Sequence, residues 1–321
     1  MTAGGTVTVD VVEGPAYPVV WMDNGYLRLG VVPALGGRLL SMRAGGREAL
    51  WRNPALLRDD LHPVDGHVPA PVAGTMGDWR NYGGDKTWPA PQGWDSPAQW
   101  AGPPDPVLDS GPYAWTVDRS PDAASITLTS GDDPRTGLRL TRRITLPRRS
   151  GGVEMELTAT NTGTRTVEWA LWNITQLPGG GEVRVEVDDP AGRPVELVAG
   201  TGAPAWASRE EGLVTIPPQD VVGKLGFPHA SGHLRYERAG LSVTWTFDTD
   251  PGAPYPDEGA RAEVWLEHPL PAPLAHLGGL NPPARIVECE VLSPLVRLAP
   301  GAEVRLPLRL EGTTSEEGGH P

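Results

Sequence analysis

The chain of 321 residues carries a formal net charge of −13 and one cysteine. That acidity argues against nucleic acid or an anionic membrane surface as its main partner, since both repel a negative protein. The lone Cys289 excludes an internal disulfide framework and any zinc site built on cysteines, and it suits a reducing compartment.

Residues Met1 to Tyr17 lack the basic start and apolar run of a secretory signal, and no later stretch approaches the ~20 apolar residues that span a bilayer. A soluble, cytoplasmic protein is expected. With 41 Gly and 36 Pro punctuating strand-like segments, long helices have little room, as in an all-β protein with many turns. Twelve Trp against two Phe is a second bias, because the indole offers a flat face for stacking on a sugar ring as well as bulk for a core. Trp21, Trp51, Trp115, Trp245 and Trp265 sit within apolar alternation and read as core, whereas Trp79, Trp88, Trp94 and Trp100 do not.

From Val7 to Trp51 the chain alternates in short units separated by Asp23-Asn24-Gly25, Gly36-Gly37 and Gly45-Gly46, which predicts a meander of hairpins. Residues Arg52 to Pro112 then lose all periodicity. A segment of that length without regular structure is either functional or disordered, and its four Trp argue against disorder. Within it, Asn81-Tyr82-Gly83-Gly84-Asp85-Lys86-Thr87-Trp88-Pro89-Ala90-Pro91-Gln92 reads as a loop pinned by glycines and prolines, the floor of a polar small-molecule site. Asp85, Lys86 and Gln92 are the candidate partners of ligand hydroxyls there, with Trp88 beside them; a plain surface ion pair between Asp85 and Lys86 is the bland alternative.

Strands resume at Tyr113 to Asp118, Ser125 to Ser130 and Leu138 to Leu146. Val153, Met155, Leu157 and Ala159 alternate with Glu154, Glu156, Thr158 and Thr160, the pattern of a half-buried antiparallel strand. Val167 to Leu177 is apolar on both faces through Trp172 and polar on both at Asn173, Thr175 and Gln176, which predicts a central strand emerging into a wet cleft. Lys224 lies in an apolar, glycine-flanked context, where snorkelling is its simplest role. A hairpin is expected from Leu234 to Phe247 around Ala239-Gly240, and the final strands from Ile286 to Leu292 and Val304 to Leu310. Residues 1–312 are expected to form one large antiparallel β-sandwich with few short helices, and 313–321 a disordered tail.

Glu288-Cys289-Glu290 is the sharpest anomaly outside the loop. Period 2 sends Cys289 to one face and both carboxyls to the other, where in a partly enclosed cleft they raise one another's pKa and make a general base. An edge strand with a solvated acidic face fits the spacing equally well. The seven histidines form no ligand set, and no His-Glu-x-x-His, Gly-x-Ser-x-Gly, Walker or dinucleotide motif is present, so neither metal nor cofactor is expected.

Leu29-Gly30-Val31-Val32-Pro33 through Gly36-Gly37-Arg38, the Gly83 to Gln92 run, and Glu288-Cys289-Glu290-Val291-Leu292-Ser293-Pro294 followed by Leu298-Ala299-Pro300-Gly301 resemble the galactose mutarotase-like (aldose 1-epimerase) superfamily, in particular one of its bacterial branches. The resemblance spans Pro18 to Leu310. It implies a β-supersandwich that binds a sugar, with a late-strand glutamate, Glu288 or Glu290, removing the anomeric hydroxyl proton while a histidine protonates the ring oxygen. That histidine stands in an Asn-His pair on a central strand, and the matching strand here, Leu171-Trp172-Asn173-Ile174-Thr175-Gln176, has none. Lys86 or Lys224 with a pKa lowered by burial takes the acid's role, or ring opening is lost and the cleft only binds. The expected ligand is a small-molecule sugar held by Asp85, Trp88, Gln92, Trp172, Asn173, Thr175, Gln176 and Lys224; sugar identity and oligomeric state are not legible.

Overall fold

The structure, a computed structural model, describes residues 6–93, 96, 98–189, 191–210 and 212–315. Two antiparallel sheets face each other. The first runs, in spatial order, through Thr8–Val12, Val19–Asp23, Leu27–Val32, Arg38–Ala44, Asp85–Ala90, Val167–Pro178, Ile286–Leu292, Ala262–Glu267, Gly223–Phe227 and Val195–Ala199, with Arg47–Glu48 and Val296–Leu298 attached at its side. The second runs Ala207–Glu210, Leu213–Ile216, Glu182–Val187, Ala230–Arg238, Leu241–Phe247, Glu303–Thr314, Gly152–Asn161, Leu138–Pro147, Ala123–Thr129 and Ala114–Arg119. Three single-turn 3-10 helices complete the regular structure among the described residues, none of whose helices is long and apolar enough to cross a membrane. The all-β sandwich read from the sequence is the observed fold.

Alternation places the core between the sheets. Val153, Met155, Leu157 and Ala159 are buried while Glu154 and Glu156 are exposed, as their spacing requires. The Ala230–Arg238 and Leu241–Phe247 strands pair through Ala239-Gly240, both at positive φ, so this two-residue turn matches the twist of the strands it joins.

Several expectations are corrected. Asp85–Ala90 is not a loop but a fully buried strand between Arg38–Ala44 and Val167–Pro178. Its hinge is real: Gly83 and Gly84 take φ of +90° and +76°, and a Cβ on Gly84 would lie 2.4 Å from the Leu39 carbonyl oxygen. Trp100 is core, its indole N–H donating to Asp105; Trp94 lies outside the described residues. Ile286–Leu292 and Glu303–Thr314, whose succession reads as a linked final pair, enter different sheets. Thr313 and Thr314, assigned to a tail, pair with Ser242 and Leu241; residues 316–321 of that tail lie outside the described residues.

Candidate functional site

Each central strand of the first sheet has one face toward the second sheet and one away from it, and the pairing sorts the chemistry between them. Trp88 lies opposite Trp172, Gln176 opposite Glu288, and Glu288 opposite Trp265 across four consecutive strands. Their side chains share the outer face, together with Lys86, Glu290, Glu263, Glu267 and Lys224. There they border an open cavity of about 390 Å³, whose lining is completed by residues that include Met76, Trp79, Gln92, Pro103, Asp257 and Leu280.

Glu288 stands at the cavity wall. One of its carboxylate oxygens accepts a hydrogen bond from the Gln176 side-chain amide and an ion pair from Lys86 Nζ at 3.4 Å. The Lys86 ammonium sits between the rings of Trp79 and Trp88, 5.9 and 4.8 Å from their centroids. Burial lowers the Lys86 pKa, with Glu288 opposing, and raises that of Glu288, with Lys86 opposing. The ion pair and its neutral form, amine beside acid, are thereby brought close in energy.

Glu290 is set apart from Glu288 by its partners. Trp172 Nε1 donates to it at 2.7 Å and Lys224 Nζ at 2.8 Å, while the same ammonium reaches Glu263 at 2.7 Å. Burial works against the Lys224 charge, but the carboxylates Glu263 and Glu290 outweigh it and raise its pKa, so this lysine holds its proton. Burial pushes Glu263 well up. The acidic face of the Ile286–Leu292 strand is therefore enclosed, not solvated, and only Glu288 of its two carboxyls borders the cavity.

Of the residues predicted from the sequence, Trp88, Gln92, Trp172, Lys224 and Glu288 line the cavity, and Lys86, Gln176 and Glu290 sit in contact with those that do. Asp85, Asn173 and Thr175 are corrected. All three point between the sheets, where Asp85 pairs with Arg142 of the second sheet and accepts hydrogen bonds from Asn173 Nδ2 at 2.8 Å and Thr175 Oγ1 at 2.7 Å. A strand's period puts them on the opposite face from Lys86 and Gln176; for Asp85 this was hidden while its segment was read as a loop, and for Asn173 and Thr175 because both faces of their strand were taken to be wet.

Sequence reasoning missed Trp79, Trp265, Glu263, Glu267 and Asp257. For three of them the signal was available: Glu263, Trp265 and Glu267 fall on one parity of the Ala262–Glu267 strand, yet Trp265 was taken as core. Trp79 is aimed at the cavity by its N–H, which donates to Asp109 at 3.1 Å, itself paired with the buried Arg38. No histidine is found among the described residues lining the cavity. Among the described residues no group of three or more His, Cys, Asp or Glu side chains is placed to hold a metal ion.

Glu267 is the carboxyl without a cation. One oxygen accepts from Trp265 Nε1 at 3.1 Å and the other, buried, has no partner among the described residues. Burial, then the nearby Glu288, pushes its pKa up to about 8. Because the folded chain holds this proton more tightly than the unfolded one, stability falls as pH rises from the ordinary value of 4.5 to about 8, and levels off above it. Urea midpoints across that window should decline less in Glu267→Gln than in the wild type; equal slopes would mean that Glu267 is ionised throughout.

Solved structures of low sequence identity, galactose mutarotase-like proteins among them, share this antiparallel sandwich fold. A galactose mutarotase-like protein from Lactobacillus casei ATCC 334 superposes with a TM-score of 0.54 at 13% identity, covering 95% of this chain and 100% of that one. Another galactose mutarotase-like protein, from Clostridium acetobutylicum, gives 0.53 at 10%, covering 97% and 99%. A TPR-domain containing protein from Parabacteroides distasonis ATCC 8503 gives 0.61 at 14% over 94% of this chain but 48% of its own, so this chain spans about half its length. Residues 19–307 match the family described as "Domain of unknown function (DUF4380)", and the chain belongs to that family. No curated protein matches the sequence.

Proposed function

We propose that the protein binds a monosaccharide in this cavity and interconverts its anomers, with Glu288 as the general base. The observation that carries the reading is the environment of Glu288: a carboxyl at the wall of a cavity flanked by Trp88, Trp172 and Trp265, backed by a buried lysine. A volume of about 390 Å³ suits a single sugar ring, and indole faces give that ring's C–H surface a place to stack. Trp88 Nε1 is buried with no partner among the described residues, a donor free to meet a hydroxyl.

Glu288 takes the proton of the anomeric hydroxyl as the bond from the anomeric carbon to the ring oxygen breaks. The aldehyde so formed turns and closes on its other face, and Glu288 returns the proton. Lys86 contributes from behind, opposing the rise that burial imposes on the Glu288 pKa and favouring its basic, ionised form.

Exchange NMR and polarimetry on a panel of aldoses test the proposal. Accelerated interconversion of at least one sugar is the expected result. Unchanged interconversion of every sugar at high protein concentration would rule out catalysis, and calorimetric binding without turnover would identify a sugar-binding protein instead.

A further inference from the structure

Four carboxyl groups, Glu263, Glu267, Glu288 and Glu290, are buried on the outer face of the first sheet against two lysines, Lys86 and Lys224. The lysines are already committed. Lys224 Nζ is held by Glu263 and Glu290, and Lys86 Nζ by Glu288, which leaves Glu267 with no cation in contact among the described residues. A buried carboxyl so placed keeps its proton. Its one unpartnered oxygen belongs to a side chain that lines the same cavity as Glu288, on the next strand, with Trp265 lying directly opposite Glu288 and Glu267 two residues further along.

We infer that Glu267 is the general acid of this site, giving its proton to the ring oxygen while Glu288 takes one from the anomeric hydroxyl. The inference rests on the anomer-exchange reading of the cavity and supplies the group that reading lacks.

The alternatives are excluded by their contacts. Lys224 lines the cavity, but its ammonium is clamped by two carboxylates, which makes it a poor donor. Lys86 is not part of the cavity lining and is directed at Glu288. Asp257, the other partly enclosed carboxyl, interacts with Glu263 and belongs to the Lys224 cluster.

The protons balance without an outside participant. As the ring opens, the bond from the anomeric carbon to the ring oxygen breaks, the ring oxygen receives the Glu267 proton and Glu288 accepts the hydroxyl proton. One carboxyl is exchanged for the other as the charged partner, and the pair's total proton count is unchanged. On closure the hydroxyl attacks the carbonyl carbon and returns its proton to Glu267, while Glu288 protonates the new anomeric oxygen. Two carboxyls whose surroundings divide the acid and base roles achieve what a carboxyl and a histidine otherwise do.

The titration of Glu267 is set first by burial and then by Glu288 on the adjacent strand, both raising its pKa, while the Trp265 N–H on its own strand and Lys86, three strands away, oppose them. In the two clefts that Glu267 also borders, Arg285 is engaged by Asp220 and Arg80 by the Val68 carbonyl. Burial and Glu288 prevail over Lys86 and push its pKa up to about 8, and the acid form persists at neutral pH.

The test is the pH dependence of anomer exchange, followed by NMR on the full chain with whichever aldose the wild type turns over. In the wild type, kcat/KM should fall on the alkaline side near pH 8 as Glu267 loses its proton. Glu267→Gln should slow exchange by about two orders of magnitude and lose that alkaline limb, and Glu267→Asp, which keeps a carboxyl, should recover part of the rate and restore the limb. Circular dichroism of both variants guards against a folding defect, and the limb is read as a shape, independent of the amount of active protein. An active wild type whose rate and alkaline limb survive in Glu267→Gln overturns the inference and leaves the anomer-exchange reading standing. A wild type that exchanges no sugar overturns both.

Discussion

Replacing Glu288 with Gln is expected to slow anomer exchange by about two to four orders of magnitude, the usual contribution of a positioned general base. Gln preserves shape and still offers a carbonyl oxygen to Lys86 and Gln176, the two donors that now hold the carboxylate. What it removes is the capacity to take a proton. The loss should therefore fall on kcat, with KM changed much less, because the interaction deleted is one made as the hydroxyl proton moves. Glu290→Gln is the paired variant. Glu290 does not border the cavity; it orients Trp172 and shares Lys224 with Glu263, so its replacement should disturb sugar binding more than turnover. The reverse pattern, full activity in Glu288→Gln and collapse of kcat in Glu290→Gln, would transfer the base to Glu290. Single-turnover exchange measurements at saturating sugar separate the two outcomes.

The fold was legible because its signal is redundant. Period-2 alternation such as that from Val153 to Thr160 repeats along the chain, and each repeat independently demands a strand with one buried face. The site was legible in part. Glu288 and Glu290 flank a cysteine whose burial fixes which face they take, and the structure brings that strand beside Lys86, as convergence of the two segments required. Asp85 was misplaced because six buried residues that include Asp, Lys and a proline do not look like a strand. Their burial rests on partners from remote segments. Arg142 occupies the apolar parity of Leu138, Leu140, Ile144 and Leu146, and that single polar exception was the available sign of a buried ion pair. Glu267 was invisible for the opposite reason: what distinguishes it is the absence of a cation in contact, a property of three-dimensional neighbours that spacing along a chain does not encode.

Arg142→Met is expected to destabilise the protein by about 3–5 kcal/mol, the loss typical when one member of a buried ion pair is removed. Asp85 and Arg142 are each 0% exposed. Arg142 also donates to the backbone carbonyls of Gly37 at 2.7 Å and Asp85 at 3.0 Å, so its guanidinium ties two segments on the first sheet's side of the core to a strand of the second. In the variant, Asp85 would keep Asn173 and Thr175 as donors but lose its compensating charge. Asp85→Asn should cost a comparable amount by leaving the guanidinium unpaired. The double variant should be more stable than the sum of the two losses predicts, since no uncompensated charge then remains. Urea unfolding of the four proteins gives the coupling directly, and strict additivity would mean that the pair is not coupled.

The same pair explains why the site is built where it is. A slip of the Asp85–Ala90 strand by one residue would turn Asp85 and Thr87 outward and bury Lys86 and Trp88 between the sheets. Arg142, reaching from the second sheet, accepts only the register in which Asp85 points inward, and that register is the one that aims Lys86 at Glu288. The double variant carries a second expectation for this reason: stability partly restored, but anomer exchange still impaired, because nothing charged then holds the strand in phase. Recovery of full activity together with stability would show that the surrounding apolar packing alone sets the register.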